Sequence, residues 1–190
     1  DYRGYGQSEG RPDRKGLYLD SVAALQYVAQ RKDIVQDSLL VFGQSLGGAN
    51  AVAALARDDA PRVRALVLDS PFYSYRSIVR DKIALIPVLS LLRWPLSLVV
   101  TGNAYSPARS IGKLQDTPIL LIHGTGDQVV PYHHSVELYE QAHEPKAFWT
   151  VEQGKHTDAM TRMDGPYRSA LAEFFKKSVG ADKKTVTSDL

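Results

Sequence analysis

The feature that most constrains the fold is an apolar stretch that ends in one serine among glycines, LLVFGQSLGGAN at residues 39–50. The β-branched and aromatic residues before Ser45 predict a buried strand, and the Ala-rich sequence after it predicts a helix. Two interpretations of the turn between them compete. The glycines could surround a phosphate, or they could allow a turn sharp enough to expose the serine as a nucleophile.

The rest of the chain alternates between strand and helix in the same way. Four short apolar runs are bounded by Gly, Pro or Asp, as is typical of strands buried on both faces. They occupy residues 38–43, 63–69, 118–124 and 146–152. Helical spacing of apolar residues is found at 16–31, 47–57, 132–143 and 166–178. The alternation predicts an α/β fold, a three-layer sandwich around a mostly parallel sheet.

Length and composition favour a single domain. The 190 residues are 44% hydrophobic, which is enough for a core, and we expect a domain over 1–178 and a polar tail over 179–190. A net charge of +2 without basic runs argues against a nucleic-acid partner, and the absence of cysteine excludes disulfides and thiolate chemistry. Because the sequence begins at Asp1 without a signal-peptide pattern, we expect it to be the C-terminal part of a longer protein.

One segment interrupts the alternation. Residues 71–117 are longer than an ordinary connection and predict a small helical cap inserted between two strands. Within the segment, residues 83–102 are apolar and about as long as a membrane span. Arg93 lies near the middle of this stretch and Pro87 and Pro95 divide it, so we expect a buried helical pair or a flap over a pocket instead.

The residues around the serine decide between the two interpretations of the turn. Gly43 to Gly47 fit the pattern G-x-S-x-G, in which small residues two positions from the serine prevent collisions in a strained strand-to-helix turn. A phosphate-binding loop requires a Lys after the last glycine, and none follows Gly47 or Gly48. We therefore predict a nucleophile elbow, with the Leu46 amide directed at an oxyanion.

A serine nucleophile needs a base and an orienting carboxylate, and both follow in the order Ser, Asp, His. Asp127 comes directly after a predicted strand, and His156 lies in the loop after the last strand. Asp69 also ends a strand and is an alternative acid, although its carboxylate is more simply explained as a turn cap. Asp158 is too close to His156 in sequence to orient it, so we expect it in a turn.

The remaining histidines do not predict a metal site. His123 lies within a strand and is interpreted as a satisfied core residue. His133 and His134 are adjacent, so their side chains should diverge on a helix and make a poor metal pair. The aromatic residues Phe72, Tyr73, Tyr75 and Trp94 allow two interpretations, the core of the cap or a wall for an apolar acyl group.

Several motifs, in this order, resemble those of single-domain α/β-hydrolase-fold serine hydrolases, similar to the depalmitoylating hydrolases and the prolyl-oligopeptidase-like clan. They are DYRGYGQSEG, FGQSLGG, LVLDSPF, LLIHGTGDQVVP and GKHTDA. The resemblance extends to about residue 178 and implies Ser45 as nucleophile, Asp127 as acid and His156 as base. The DYRGYG segment, which contains Tyr5, lines the approach to the site in such proteins.

The resemblance also implies strands before Asp1, one of which supplies a second oxyanion donor, and in some relatives a membrane anchor. Without those strands, the strand at 38–43 should expose an apolar, unpaired edge. The function we expect is hydrolysis of carboxylic esters or thioesters through an acyl-enzyme, without a cofactor, in the cytoplasm or at a membrane. A peptidase with the same mechanism and a catalytically silent protein that binds an apolar ligand remain alternatives.

Overall fold

The computed structural model describes residues 1–35, 38–161 and 165–180. In this part of the chain, four strands form one parallel sheet in the order β1-β2-β3-β4. The strands are β1 (Leu40–Gln44), β2 (Ala65–Asp69), β3 (Ile119–Gly124) and β4 (Lys146–Val151). Every strand end lies within two residues of the predicted run, which confirms the four predicted strands.

Helices connect the strands and flank the sheet. They are α1 (Arg14–Gln30), α2 (Leu46–Leu55), α3 (Tyr75–Ala84), α4 (Arg93–Val100), α5 (His133–Gln141), α6 (Asp158–Thr161) and α7 (Tyr167–Gly180). Short 3₁₀ turns lie at Ser90–Leu92, Pro107–Arg109 and Ile111–Lys113. Helix α7 continues two residues into the predicted tail, and the rest of that tail lies outside the described residues.

The core lies on both faces of the sheet because side chains alternate along each strand. Leu66 and Leu68 of β2 pack with Val52 of α2 and Leu138 of α5 on one face. On the other face, neighbouring residues of β2 pack with Phe174 of α7. Helix, sheet and helix therefore form three layers, as the sequence predicts.

The two helices between β2 and β3 are not the buried pair that the sequence suggested. Leu85 is 73% exposed, Leu91 91% and Val99 84%. Pro87 lies beyond the end of α3, and Pro95 lies in the first turn of α4, which has only eight residues. The two helices contact each other but leave much of the apolar surface of residues 85–100 uncovered. None of the helices in the described ranges has the length and apolarity needed to cross a membrane.

Strand β1 lies at one edge of the sheet. Within the described residues it pairs with β2 alone, and Phe42 on this strand is 39% exposed. A cavity of about 460 Å³ follows this edge and reaches Gly43, Gln44 and Gly47. The open, apolar edge expected for the strand is thus present.

Candidate active site

Ser45 lies between the end of β1 and the start of α2. Its φ of 50° and ψ of −118° place it in a backbone region that residues with a side chain rarely adopt. The Ser45 amide donates a hydrogen bond of 2.9 Å to the carbonyl of Asp69, so the turn is fastened to the neighbouring strand. The serine hydroxyl is half-buried and makes no hydrogen bond to another described residue.

The sharp turn depends on two glycines that approach each other closely. A Cβ atom added to Gly43 would lie 2.6 Å from the Cα of Gly48, and one added to Gly48 would lie 3.0 Å from the carbonyl oxygen of Gly43. A Cβ on Gly47 would meet no atom of the described chain within 4 Å. The prediction that the residues two positions from Ser45 must lack a side chain is therefore correct for Gly43 but wrong for Gly47. Gly48 is the residue that passes over the end of β1.

Asp127 and His156 meet at the carboxyl ends of the strands. Asp127 follows β3, and its Oδ2 lies 2.7 Å from Nδ1 of His156, which follows β4. The Asp127 side chain is inaccessible to solvent, whereas that of His156 is 20% exposed. Since Nδ1 donates its proton to the carboxylate, Nε2 of His156 is left unprotonated and can accept a proton from a hydroxyl.

The carboxylate of Asp127 is saturated with hydrogen bonds. Oδ1 accepts from the amides of Val129 at 2.8 Å and Val130 at 2.9 Å, while Oδ2 accepts from His123 as well as His156. Burial disfavours the charged form, but the bonds from His123, His156 and the Val130 amide outweigh it and hold the pKa of Asp127 below its ordinary value. The carboxyl group of Asp127 therefore stays ionised at neutral pH.

His123 is buried and satisfied, as its position in a strand predicts, but it also contacts the candidate acid. Its Nε2 lies 3.1 Å from Oδ2 of Asp127 and 2.9 Å from the carbonyl oxygen of Val130. Two acceptors at Nε2 place the ring proton there, so Nδ1 accepts from the hydroxyl of Ser135 at 2.6 Å. The sequence signal for this contact is the four-residue spacing from His123 to Asp127 across the end of β3.

Ser45 and the loop of His156 are both hydrogen-bonded to the end of β2 and the residue after it. The amide of Ser45 bonds to Asp69, and the amide of Thr157, the residue after His156, donates to the hydroxyl of Ser70 at 3.1 Å. Adjacent residues of one segment thus fix the positions of the serine turn and the histidine loop. Among the described residues no hydrogen bond joins Ser45 to His156. In serine hydrolases this bond is often long without substrate and closes when substrate binds.

Asp69, the alternative acid, does not contact His156. Its carboxylate accepts from the amide nitrogen of Gln44 at 2.9 Å and from the hydroxyl of Ser70 at 3.1 Å. Burial raises the pKa of Asp69, and these two bonds only partly offset that effect. The carboxylate links β2 to β1 through Gln44, so the expected role as a simple turn cap is incomplete. Asp158 accepts from the amide of Lys155 at 3.2 Å, which is the expected local turn contact.

Leu46 is the first residue of α2. The amides of the first helical turn have no acceptor within the helix, and the helix dipole adds partial positive charge at this end. The Leu46 amide is therefore suited to stabilise negative charge that develops beside Ser45.

The aromatic residues predicted as the core of the cap or as a pocket wall do not form one group. Phe72 is buried with Ala49 and Val130, its ring lies 4.9 Å from that of Tyr75, and Tyr73 packs against the core on the sheet. Trp94 is 59% exposed and Tyr5, in the segment expected to line the approach to the site, is 49% exposed. Phe72 and Tyr73 therefore belong to the main core and not to a core of the cap, while Trp94 faces outward.

The side chains of His133 and His134 stack instead of diverging. Their rings are 4.5 Å apart, and both Nε2 atoms lie 3.0 Å from Oδ2 of Asp81 on α3. Because α5 begins at His133, no preceding helical turn restricts the rotamer of that residue. The expectation of divergence is wrong for this reason.

The donor pattern at this cluster does not favour a metal ion. Nδ1 of His134 accepts from the Tyr73 amide at 3.0 Å, so the ring proton lies on Nε2 and is donated to Asp81. A histidine that binds a metal usually donates from its other nitrogen. Burial, with the nearby His133, lowers the pKa of His134 to about 4, so the ring is a neutral link between α3 and α5.

A cavity of about 290 Å³ lies beside the loop that carries Asp127. It is lined by Asp81, Lys82, Leu85, Gln128 and Pro131. The Lys82 ammonium donates to the carbonyl of Gln128 at 2.9 Å, so the end of α3 is fastened to the residue after Asp127.

Comparison with known proteins agrees with this architecture. The model of the prolyl oligopeptidase family matches residues 11–180. Over 175 residues the chain is 38% identical to YfhR of Escherichia coli K12, described as uncharacterized, covering 92% of this chain and 58% of YfhR. The chain thus spans less than two thirds of that relative.

Solved structures share the fold. The α/β hydrolase GrgF of Penicillium sp. sh18 superposes with a TM-score of 0.72 at 16% identity, over 95% of this chain and 79% of GrgF. An esterase of Pyrococcus furiosus superposes with a TM-score of 0.70 at 21% identity, over 95% and 69% of the two chains. These similarities show an α/β-hydrolase fold.

Proposed function

Since the chain belongs to the prolyl oligopeptidase family, we propose that it is a serine hydrolase with Ser45 as nucleophile, His156 as general base and Asp127 as the orienting acid. The observation that supports this most is the 2.7 Å contact between His156 and Asp127 at the edge of the sheet where the strained Ser45 turn also lies. A buried, ionised carboxylate fixes the tautomer that leaves Nε2 of His156 open toward a hydroxyl.

In the first step the Ser45 oxygen attacks the carbonyl carbon of the substrate while Nε2 of His156 takes the hydroxyl proton. The carbonyl oxygen becomes an oxyanion, which the Leu46 amide stabilises. As the tetrahedral intermediate collapses, the bond to the leaving group breaks and His156 returns the proton to that group. The products are an acyl-serine and a free alcohol, thiol or amine.

In the second step water replaces the leaving group. His156 takes a proton from the water as its oxygen attacks the acyl carbon, and then returns the proton to Ser45 as the carboxylic acid departs. Asp127 remains ionised throughout and stabilises the imidazolium that forms in each step. The proton balance closes without a cofactor.

We propose carboxylic esters or thioesters with an apolar acyl part as substrates. The apolar surface between β2 and β3, with Leu85 in the cavity beside the Asp127 loop, supports this choice. The family description supports a peptidase as a second candidate, since the same triad cleaves amides. A third possibility is a silent binding protein for an apolar ligand.

Hydrolysis of p-nitrophenyl esters of increasing chain length tests the proposal. Ser45→Ala and His156→Ala should each lower kcat by about a thousandfold or more. Ser169→Ala and His143→Ala change exposed residues of the same types and should retain activity. Undiminished esterase activity in Ser45→Ala would contradict the assignment.

Two further measurements separate the candidates. A fluorophosphonate probe that labels wild-type protein but not Ser45→Ala indicates an enzyme, whereas absence of labelling favours the binding protein. Comparison of ester substrates with peptide p-nitroanilides then distinguishes an esterase from a peptidase. Faster turnover of the anilides would replace the ester proposal by the peptidase proposal.

A further inference from the structure

A continuous stretch of the β2–β3 segment carries apolar side chains that nothing in the described chain covers. We call it the apolar patch, and every member is at least 47% exposed. It consists of Leu85, Ile86, Val88, Leu91, Leu92, Trp94, Leu98, Val99 and Val100. Over half of the large exposed hydrophobic residues in the described ranges fall within these sixteen positions, so the patch is concentrated rather than scattered.

The patch has the geometry of a surface-lying element. Leu91, Trp94 and Leu98 are three and four residues apart, so they share one side of α4 and the turn before it. Ser97, three residues after Trp94, is the buried residue of α4, and its hydroxyl donates to the Trp94 carbonyl at 2.9 Å. The helix therefore packs against the protein around Ser97 and projects apolar groups outward over much of its remaining surface.

The charges within and beside the patch are mainly cationic. Residues 82–101 contain Lys82 and Arg93 and no acidic residue. Asp81, directly before them, lines the same cavity as Leu85, and its carboxylate lies 3.0 Å from Nε2 of His133 and of His134. The Arg80 guanidinium lies 4.2 Å from the centre of the Trp94 ring, at the border of the patch. A second copy of the chain would bring these cations together, whereas an anionic apolar surface would complement both features.

We propose that the apolar patch docks on the surface of an anionic lipid bilayer. An interfacial helix combines an apolar face with Lys and Arg at its border, and Trp is favoured at the level of the lipid headgroups. Helix α4 spans Arg93–Val100 and is too short to cross a bilayer, so its exposed side lies within the interface. Anionic headgroups then neutralise Lys82 and Arg93.

Docking in this orientation brings the loop of Asp127 to the lipid surface. Leu85 belongs both to the patch and to the 290 Å³ cavity, and Lys82 is bonded to Gln128. Acyl chains in the bilayer would thus be close to the cavity. The docking itself does not depend on the proposed hydrolase activity.

Vesicle flotation tests the docking. The protein is mixed with vesicles of phosphatidylcholine alone or of phosphatidylcholine with phosphatidylserine, and we expect tighter binding to the anionic mixture. Val88→Asp combined with Val99→Asp should weaken partitioning by about tenfold or more, since two exposed apolar side chains are lost. Val35→Asp is the matched control, because Val35 is equally apolar and 71% exposed but lies before β1.

Two variants test how much charge contributes to vesicle binding. Arg93→Gln should weaken binding to the anionic vesicles about fivefold and leave binding to neutral vesicles unchanged. Arg62→Gln removes an exposed arginine outside the patch and should bind like the wild type. Fluorescence of Trp94 should shift to shorter wavelength with vesicles, and this shift should be lost in Trp94→Phe.

Three results would overturn the proposal. Equal binding of the Val88/Val99 and Val35 variants would show that the patch is not the contact. Absence of vesicle binding, with dimers that Val88→Asp and Val99→Asp dissociate, would identify a second copy as the occupant. A protein that binds neither kind of vesicle and forms no dimers would show that the patch is uncovered in solution. Ser45→Ala should still bind vesicles, so a failure of the hydrolase assignment can be distinguished from a failure of the docking proposal.

Discussion

Nε2 of His123 lies 3.1 Å from Oδ2 of Asp127, the same oxygen that accepts the hydrogen bond of His156. His123 is held in turn by the hydroxyl of Ser135 at 2.6 Å. The candidate acid is therefore oriented by two imidazoles, one inside the core and one at the surface. In the proposed reaction His123 would act only through Asp127, which would make it a positioning residue.

Removal of this donor should impair turnover without affecting binding. His123→Leu deletes a hydrogen bond to a charged group, and we expect kcat on esters to fall about tenfold or more with little change in KM.

His123→Gln distinguishes positioning from packing, because its amide nitrogen can still donate to Asp127. It should recover part of kcat at an unchanged KM. His143→Leu changes an exposed histidine and serves as the control. If the Gln and Leu variants lose activity equally, His123 only fills the core.

The local parts of this architecture were predictable from the sequence. Apolar runs bounded by Gly, Pro or Asp gave the strand positions, and G-x-S-x-G identified the strained turn at Ser45 because its chemistry is contained in five consecutive residues. Asp127 and His156 followed from their positions at strand ends. Parallel strands bring those ends to one edge of the sheet, and the structure places the two residues in contact there.

Features that depend on contacts between residues far apart in the sequence, or on side-chain rotamers, were not predictable. The stacking of His133 on His134 requires Asp81 from another helix, and the second role of His123 requires the loop to fold back after β3. The exposure of residues such as Val88 was missed because apolar composition indicates burial only where a partner surface exists.

The ionised state of Asp127 should contribute to stability. Its pKa is lowered by folding, so the contribution is present above the ordinary value of 3.8 and is lost as the pH falls below it. Asp127→Asn lacks this contribution, so the difference in unfolding free energy from the wild type should be constant from about pH 7 to about pH 5 and shrink at lower pH. Urea denaturation across about this range measures it, and a difference independent of pH would contradict the ionised assignment.

His134 should also make the stability fall with pH, but in a higher range. Folding lowers its pKa from 6.5 to about 4, so the unfolded chain takes up a proton first as the pH falls. Stability is therefore lost between these two values. His134→Asn keeps an acceptor for the Tyr73 amide but cannot titrate, so its unfolding free energy should fall less steeply over that range. His133→Asn, at the exposed neighbour, is the control, and equal slopes for wild type and His134→Asn would disprove the buried neutral state.

The glycines of the serine turn provide a matched test of the backbone geometry. Gly43→Ala places a Cβ 2.6 Å from the Cα of Gly48, and we expect it to lower the unfolding free energy by about 1–3 kcal/mol or to prevent folding. Gly47→Ala enters open space within α2 and should be neutral or stabilise the helix by up to about 1 kcal/mol. Thermal and urea unfolding compare the two variants. A Gly47→Ala variant as destabilised as Gly43→Ala would show that the turn is packed differently, with Gly47 rather than Gly48 against β1.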